Sequence, residues 1–198
     1  MDYSSSKTFI LEKLERELPT DLYYHGLHHT LDVLETTKAL CKEEKISTHD
    51  TTLLKTAALY HDAGFLRNHI NHEVLGCEIV QEYLPNFGFS AVDIEKICAM
   101  IMSTKIPQSP KNNLEQILCD ADLDYLGRSD FKAIGDTLYL ELKAYEVLDT
   151  EERWNRMQVH FLEHHRFFTK TNQQKRRPGK MAHLAALREI VATYDDVG

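Results

Sequence analysis

The sequence predicts an all-α protein, on three observations. Helical spacing of apolar residues runs through almost the whole chain, and no segment sustains the apolar–polar alternation of a half-buried strand. Turn signals recur between the periodic segments, which cuts the pattern into a compact bundle of helices rather than one long rod. The chain is 198 residues long, enough for one ordinary domain with a real core and too short for a second full one.

Taken in order, the periodicity predicts helices over about 5–18, 26–45, 49–63, 72–84, 90–103, 113–126, 130–147, 151–169 and 179–194, with ends placed to within ~2–4 residues. Pro19 closes the first. The second is apolar over most of its circumference, with Leu27, Leu31, Leu34 and Cys41 on one side, so it should be buried. The third starts at the caps Ser47 and Thr48 and ends where Gly64 can cap it at C′. Asn71 precedes the fourth as a cap, "LPNFGFS" ends it, and Ser90 caps the fifth. "KIPQSPKNN" separates the fifth from the sixth, and Gly127 ends the sixth. The basic run "KTNQQKRRPGK", 170–180, reads as a solvated loop before the last helix, with a phosphate-facing lid as the minor alternative.

Composition excludes several function classes. With 42% hydrophobic and 27% charged residues and no apolar run of bilayer length, the chain reads as globular with no membrane partner. The N-terminal segment lacks a basic start followed by an apolar block and a small-residue cleavage site, so the expected compartment is the cytoplasm. A formal charge of −8 repels nucleic acid and anionic membranes over the surface as a whole. Cys41, Cys77, Cys98 and Cys119 form no C-x-x-C pair and read as small buried hydrophobes. Oligomeric state is open at this level.

The chemistry concentrates in histidines and aspartates. "YYHGLHHT", 23–30, carries three histidines, and at ~100° per residue His25, His29, Asp32 and Thr36 fall in a narrow arc of one helix face. A polar arc on a buried helix needs partners inside the protein. "LYHDAGF", 59–65, supplies His61 and Asp62, with His61 continuing the core stripe of Leu54 and Ala57/Ala58. A His-Asp pair alone proves little: the second one, His49-Asp50, sits at a helix start and needs only a capping role. "ILCDADLDYLG", 117–127, offers three aspartates. Asp122 falls on the inward stripe of Leu114, Ile117/Leu118, Ala121 and Tyr125, whereas Asp120 and Asp124 point away. His29, His61, Asp62 and Asp122 as two neutral imidazoles and two carboxylates balance one divalent cation, as a desolvated site requires. With no thiolate nearby, Mn²⁺, Fe²⁺, Mg²⁺ or Co²⁺ is favoured over Zn²⁺.

The order His29, then His61-Asp62, then Asp122 resembles the signature of the HD-domain metal-dependent phosphohydrolase superfamily, over about residues 22–127. "YHGLHHTLDV" is similar to the Y-H-x-x-x-H-x-x-D-V segment of class I cyclic nucleotide phosphodiesterases, which implies a proton-donating His25 and a metal-binding His29. "STK…P", "DADL…LG" and "FFT…K…L" resemble small bacterial HD proteins known only as predicted phosphohydrolases. The resemblance implies one HD-type domain over 1–198, with a motif core at 22–127 and the helices of 130–194 packing on it. It implies a phosphohydrolase in which metal-activated water attacks phosphorus, and a phosphomonoester, pyrophosphate or cyclic phosphodiester substrate, of a nucleotide. Asp62 would serve catalysis as well as ligation, Glu73 could guide the attacking water, and Arg67 and Lys105 are candidate phosphate-binding residues. Ser103 and Thr104 stand where binuclear relatives carry a further histidine, so a single tightly held ion is expected. His69 and His72 could compensate, although "NHINHE" reads first as a capped loop. Two other classes remain: a nonenzymatic nucleotide sensor and an iron-dependent oxygenase of the same superfamily.

Overall fold

The computed structural model describes residues 1–195, and among these it contains helices and no strand. The chain groups into two compact units, 1–122 and 123–198.

In the first unit the helices are α1 (Tyr3–Glu17), α2 (Leu27–Glu43), α3 (Thr48–Tyr60), α4 (His72–Tyr83), α5 (Ala91–Thr104) and α6 (Asn113–Asp122). Short 3-10 turns follow α3 at Ala63–Leu66 and α4 at Leu84–Phe87. The axis of the unit is α3, whose Leu53, Leu54, Ala57, Ala58, Leu59 and Tyr60 are all fully buried. Helices α1, α2, α4, α5 and α6 all pack against it. At ~1.5–3 kcal/mol for each large side chain buried, this core holds the C-terminal end of α3 rigidly. Both anticipated serine caps form: Ser47 accepts from the Asp50 amide at 3.1 Å and Ser90 from the Asp93 amide at 3.2 Å.

Several local expectations change. Helix α3 stops at Tyr60, and Gly64 does not end it in a left-handed conformation; it lies in the 3-10 turn. Its reason is close approach, because a Cβ at Gly64 would lie 1.9 Å from the His72 carbonyl oxygen. Asn71 occupies the cap position of α4 with φ 56°, but its side chain makes no capping bond. Leu31 is 39% exposed, while Thr30 and Thr37 take places on the buried face of α2.

The second unit holds a 3-10 turn at Asp124–Gly127, then α7 (Phe131–Ala144), α8 (Glu151–His164), α9 (Lys170–Lys175) and α10 (Arg177–Asp195). The expected sixth helix thus ends at Asp122 and gives way to the turn, and the expected eighth stops at His164. The basic run is not a loop: it forms α9 and the first turn of α10. Asn172 and Lys180 within it are buried. Gly179 sits so close to the turn that a Cβ would meet the Gly127 carbonyl oxygen at 2.3 Å. Helices α8 and α10 pack together, Phe131 stacks on His183, and Tyr139 stacks on Trp154. No helix among the described residues is long and apolar enough to cross a membrane.

Candidate metal centre

Three helical segments of the first unit bring their polar groups to one point. His29 is the third residue of α2, in its first turn, His61 and Asp62 follow the last residue of α3, and Asp122 is the last residue of α6. The ligand atoms of His29, His61 and Asp122 lie within 4.8 Å of one another. His29 Nε2 is 3.1 Å from Asp122 Oδ1 and 3.3 Å from His61 Nε2. Asp62 Oδ2 closes the group, 3.1 Å from His61 Nε2 and 3.5 Å from His29 Nε2.

The donor set fits a divalent cation on three grounds. His61 donates its Nδ1–H to the Ala58 carbonyl oxygen at 2.8 Å, so the neutral ring turns the lone pair of Nε2 into the cluster. Asp62 Oδ2 is buried and receives no hydrogen bond, an arrangement that leaves a carboxylate oxygen needing a positive partner. Two carboxylates, two imidazoles and one divalent ion sum to zero charge, which is what burial tolerates.

Electrostatics without an ion point the same way. Burial alone would push His61 down, but Asp62 first and then Asp122 outweigh it and hold this imidazole well above its ordinary value. Burial would raise Asp62, but His61 pulls it well below the usual carboxylate range. Asp122 is likewise lowered against burial, to about 2, by hydrogen bonds from His29 and His61. A proton on His61 thus occupies the electrostatic place of a metal.

Asp122 is not the most buried aspartate of its segment. Its side chain is 14% exposed, whereas Asp120 and Asp124 are at 0% and 2%. Helical periodicity does not extend to Asp124, because α6 ends at Asp122, while Asp120 lies within a last stretch of α6 in which every residue from Ile117 to Ala121 is buried. Beyond it Asp124 turns into the second unit, where it accepts from Arg176 Nε at 2.8 Å and Asn172 Nδ2 at 3.1 Å. Asp122, at the helix end, is left facing the open side of the cluster.

His25 lies outside α2, before the extended Gly26 at its N-cap, so no helical arc aligns it with His29. It reaches the rim through stacking instead. Its ring lies 4.5 Å from that of Phe65, and Phe65 in turn stacks at 4.4 Å on His72. Tyr24 covers His29 with ring centroids 4.6 Å apart. Phe65 and Tyr24 were not singled out by sequence reasoning, although each adjoins a motif residue: Phe65 closes "HDAGF" and Tyr24 precedes His25.

His72 also belongs to the surroundings of the site rather than to a detached capped loop. Its Nε2 stands 3.6 Å from Asp62 Oδ1 and 3.5 Å from Glu73 Oε1, and Glu73 is buried. His69 is exposed at the preceding turn. Ser103 and Thr104 turn back on their own helix, donating to the carbonyls of Met100 and Ile101. Arg67 is spent on two carboxylates of α4, Glu78 at 2.8 Å and Glu82 at 2.6 Å, which weakens the case for it as a phosphate ligand. Exposed Lys105 donates to Asn71 Oδ1 at 3.3 Å, beside His72. The decoy pair behaves as a structural one: Asp50 completes the cap of α3 and His49 bonds Asp93 at the start of α5.

Comparison with known proteins converges on the same segment. The model of one family, the HD domain, matches residues 26–124. Among solved structures, a predicted HD superfamily hydrolase from an uncultured Thermotogales bacterium aligns with a TM-score of 0.63 at 19% identity, covering 94% of this chain and 92% of that one. At that identity the likeness is one of fold. No curated protein matches this chain.

Proposed function

From the chain's membership of the HD domain family, we propose that it is a metal-dependent phosphohydrolase acting on a small phosphorylated molecule, a nucleotide phosphomonoester, pyrophosphate or cyclic phosphodiester. The observation that carries this reading is the convergence of His29, His61, Asp62 and Asp122, including a buried carboxylate oxygen with no hydrogen-bond donor. A divalent cation held by these four residues supplies a Lewis acid that acidifies water and offsets charge on phosphoryl oxygens. Mn²⁺, Fe²⁺, Mg²⁺ and Co²⁺ suit an oxygen- and imidazole-donor set without thiolate better than Zn²⁺ does.

The protein's own groups do the rest. His61 is locked by the Ala58 carbonyl and cannot swing out of the cluster. His25, half-buried and stacked on Phe65, stands at the rim, where its proton can pass to the leaving oxygen. Glu73 is buried against His72 and orients that ring toward Asp62, while Lys105 offers an exposed ammonium to phosphate.

Two variants test the site. Asp62→Ala removes a carboxylate at the centre and should abolish metal retention and phosphate release in a screen of nucleotides with Mn²⁺, Co²⁺, Mg²⁺ and Fe²⁺. Asp50→Ala, in the decoy pair, should leave both unchanged and cost no more than ~0.5–2 kcal/mol of stability. Equal metal content in the two variants would refute the assignment.

A further inference from the structure

The second unit carries a cavity of about 760 Å³ whose lining includes Arg166, Arg177, Lys180 and Arg188 but, among the described residues, a single carboxylate, that of Glu163. Glu163 is already neutralised by Arg188, whose Nη2 and Nε lie 2.6 and 3.1 Å from Oε1. Three cationic groups therefore border the space with no carboxylate of the lining left to them. Such crowding is unfavourable in itself, and in a chain of formal charge −8 it is a local reversal of sign.

Lys180 is 5% exposed, and it has a structural duty: its ammonium donates to the carbonyl oxygens of Leu162, at 2.8 Å, and His165, which end α8. That accounts for its burial and satisfies carbonyls left open at the end of α8. The carbonyls offer only partial charge, however, and burial, then repulsion from Arg177, lowers the tendency of Lys180 to hold its proton. Arg166, whose guanidinium lies 5.5 Å over the Phe168 ring, and Arg177 are exposed at the same cavity and meet no carboxylate of its lining.

We infer that this cavity binds a small phosphorylated compound, with Arg166 and Arg177 as its phosphate-holding groups and the ammonium of buried Lys180 adding positive charge to the lining. Guanidinium forks match phosphate oxygens in pairs. The volume falls in the range of ~300–1,000 Å³ usual for small-molecule sites and far exceeds one inorganic phosphate, so the ligand has an organic part or several phosphoryl groups. Phe167, edge-on to His165 with centroids 4.8 Å apart, forms an apolar wall. All of these residues belong to the second unit, and the inference stands independently of the proposed hydrolysis.

Calorimetric titration of the full chain with inorganic pyrophosphate tests it, with and without a chelator that strips the metal centre. Binding should persist in chelator and weaken by at least about tenfold, or ~1.4 kcal/mol, in an Arg166→Ala/Arg177→Ala double variant. Both residues are exposed, so folding should be retained, and the unfolding transition checks this. Arg153→Ala, an exposed arginine paired with Asp149, should bind as the parent does. Absence of binding in the parent, its loss on chelation, parental affinity in the double variant, or citrate binding as tightly as pyrophosphate would each overturn the inference.

Discussion

The imidazole of His61 spends its Nδ1 proton on the Ala58 carbonyl oxygen, 2.8 Å away, which leaves Nε2 as the ligand atom whenever the ring is neutral. His25 sits ahead of the N-cap of α2, stacked on Phe65, and so is held by a different part of the structure. The two histidines therefore separate in role, and a substitution can separate them in measurement. His25→Ala should retain metal by direct metal analysis, yet slow hydrolysis of a substrate with a poor leaving group by ~10²–10⁴-fold. A nitrophenyl ester, whose leaving group needs little protonation, should lose much less. The same loss with both substrates would mean that His25 positions substrate instead of donating a proton.

At the scale of elements, the site depends on how closely the turn after α3 approaches the start of α4. Gly64 permits that approach, and Gly76 extends it, since a Cβ there would come 3.2 Å from the Tyr60 carbonyl oxygen. Gly64→Ala should force the His72 backbone away from the turn that follows Asp62. We expect a loss of ~1–3 kcal/mol of stability from overpacking, together with weaker metal binding. Ser90→Ala removes the cap of α5 and should cost ~0.5–2 kcal/mol with metal affinity unchanged. Chemical denaturation and metal titration of both variants would separate a local packing effect on the centre from a general loss of stability. Equal metal affinity in the two would show that the close approach does not shape the site.

For the whole molecule, two carboxylates buried at one point must be balanced by a metal or by a proton. In the metal-free protein His61 is held above its free value, so this group's contribution to stability is fully present below pH ~6.5 and is lost as pH rises through the raised folded value. A divalent cation takes over the same task and needs neutral imidazole. Metal should thus raise the unfolding temperature more at about pH 9 than at about pH 6, where protons compete with it. Thermal unfolding with metal and with chelator across that range measures the difference. A metal-induced rise that is the same at both ends, or larger in acid, would contradict histidine ligation.

The sequence alone determined the helical class, the positions of α2, α3, α4 and α5 to within a few residues, the serine caps, and the order in which His29, His61, Asp62 and Asp122 occur. These are local properties: periodicity, capping chemistry and motif order are written in neighbouring residues. Tertiary structure decided what depends on residues distant in the chain. It buried Asp120 within α6, and it left Asp122 at the cluster while Asp124, beyond the end of α6, finds Arg176 and Asn172. It brought His72 to Asp62 across the gap that Gly64 keeps narrow, and committed Arg67 to Glu78 and Glu82. It also drew Lys180, at the end of the basic run 170–180, inward to the last carbonyls of α8. A buried charge takes its position from its partners, and those partners are adjacent only once the chain has folded.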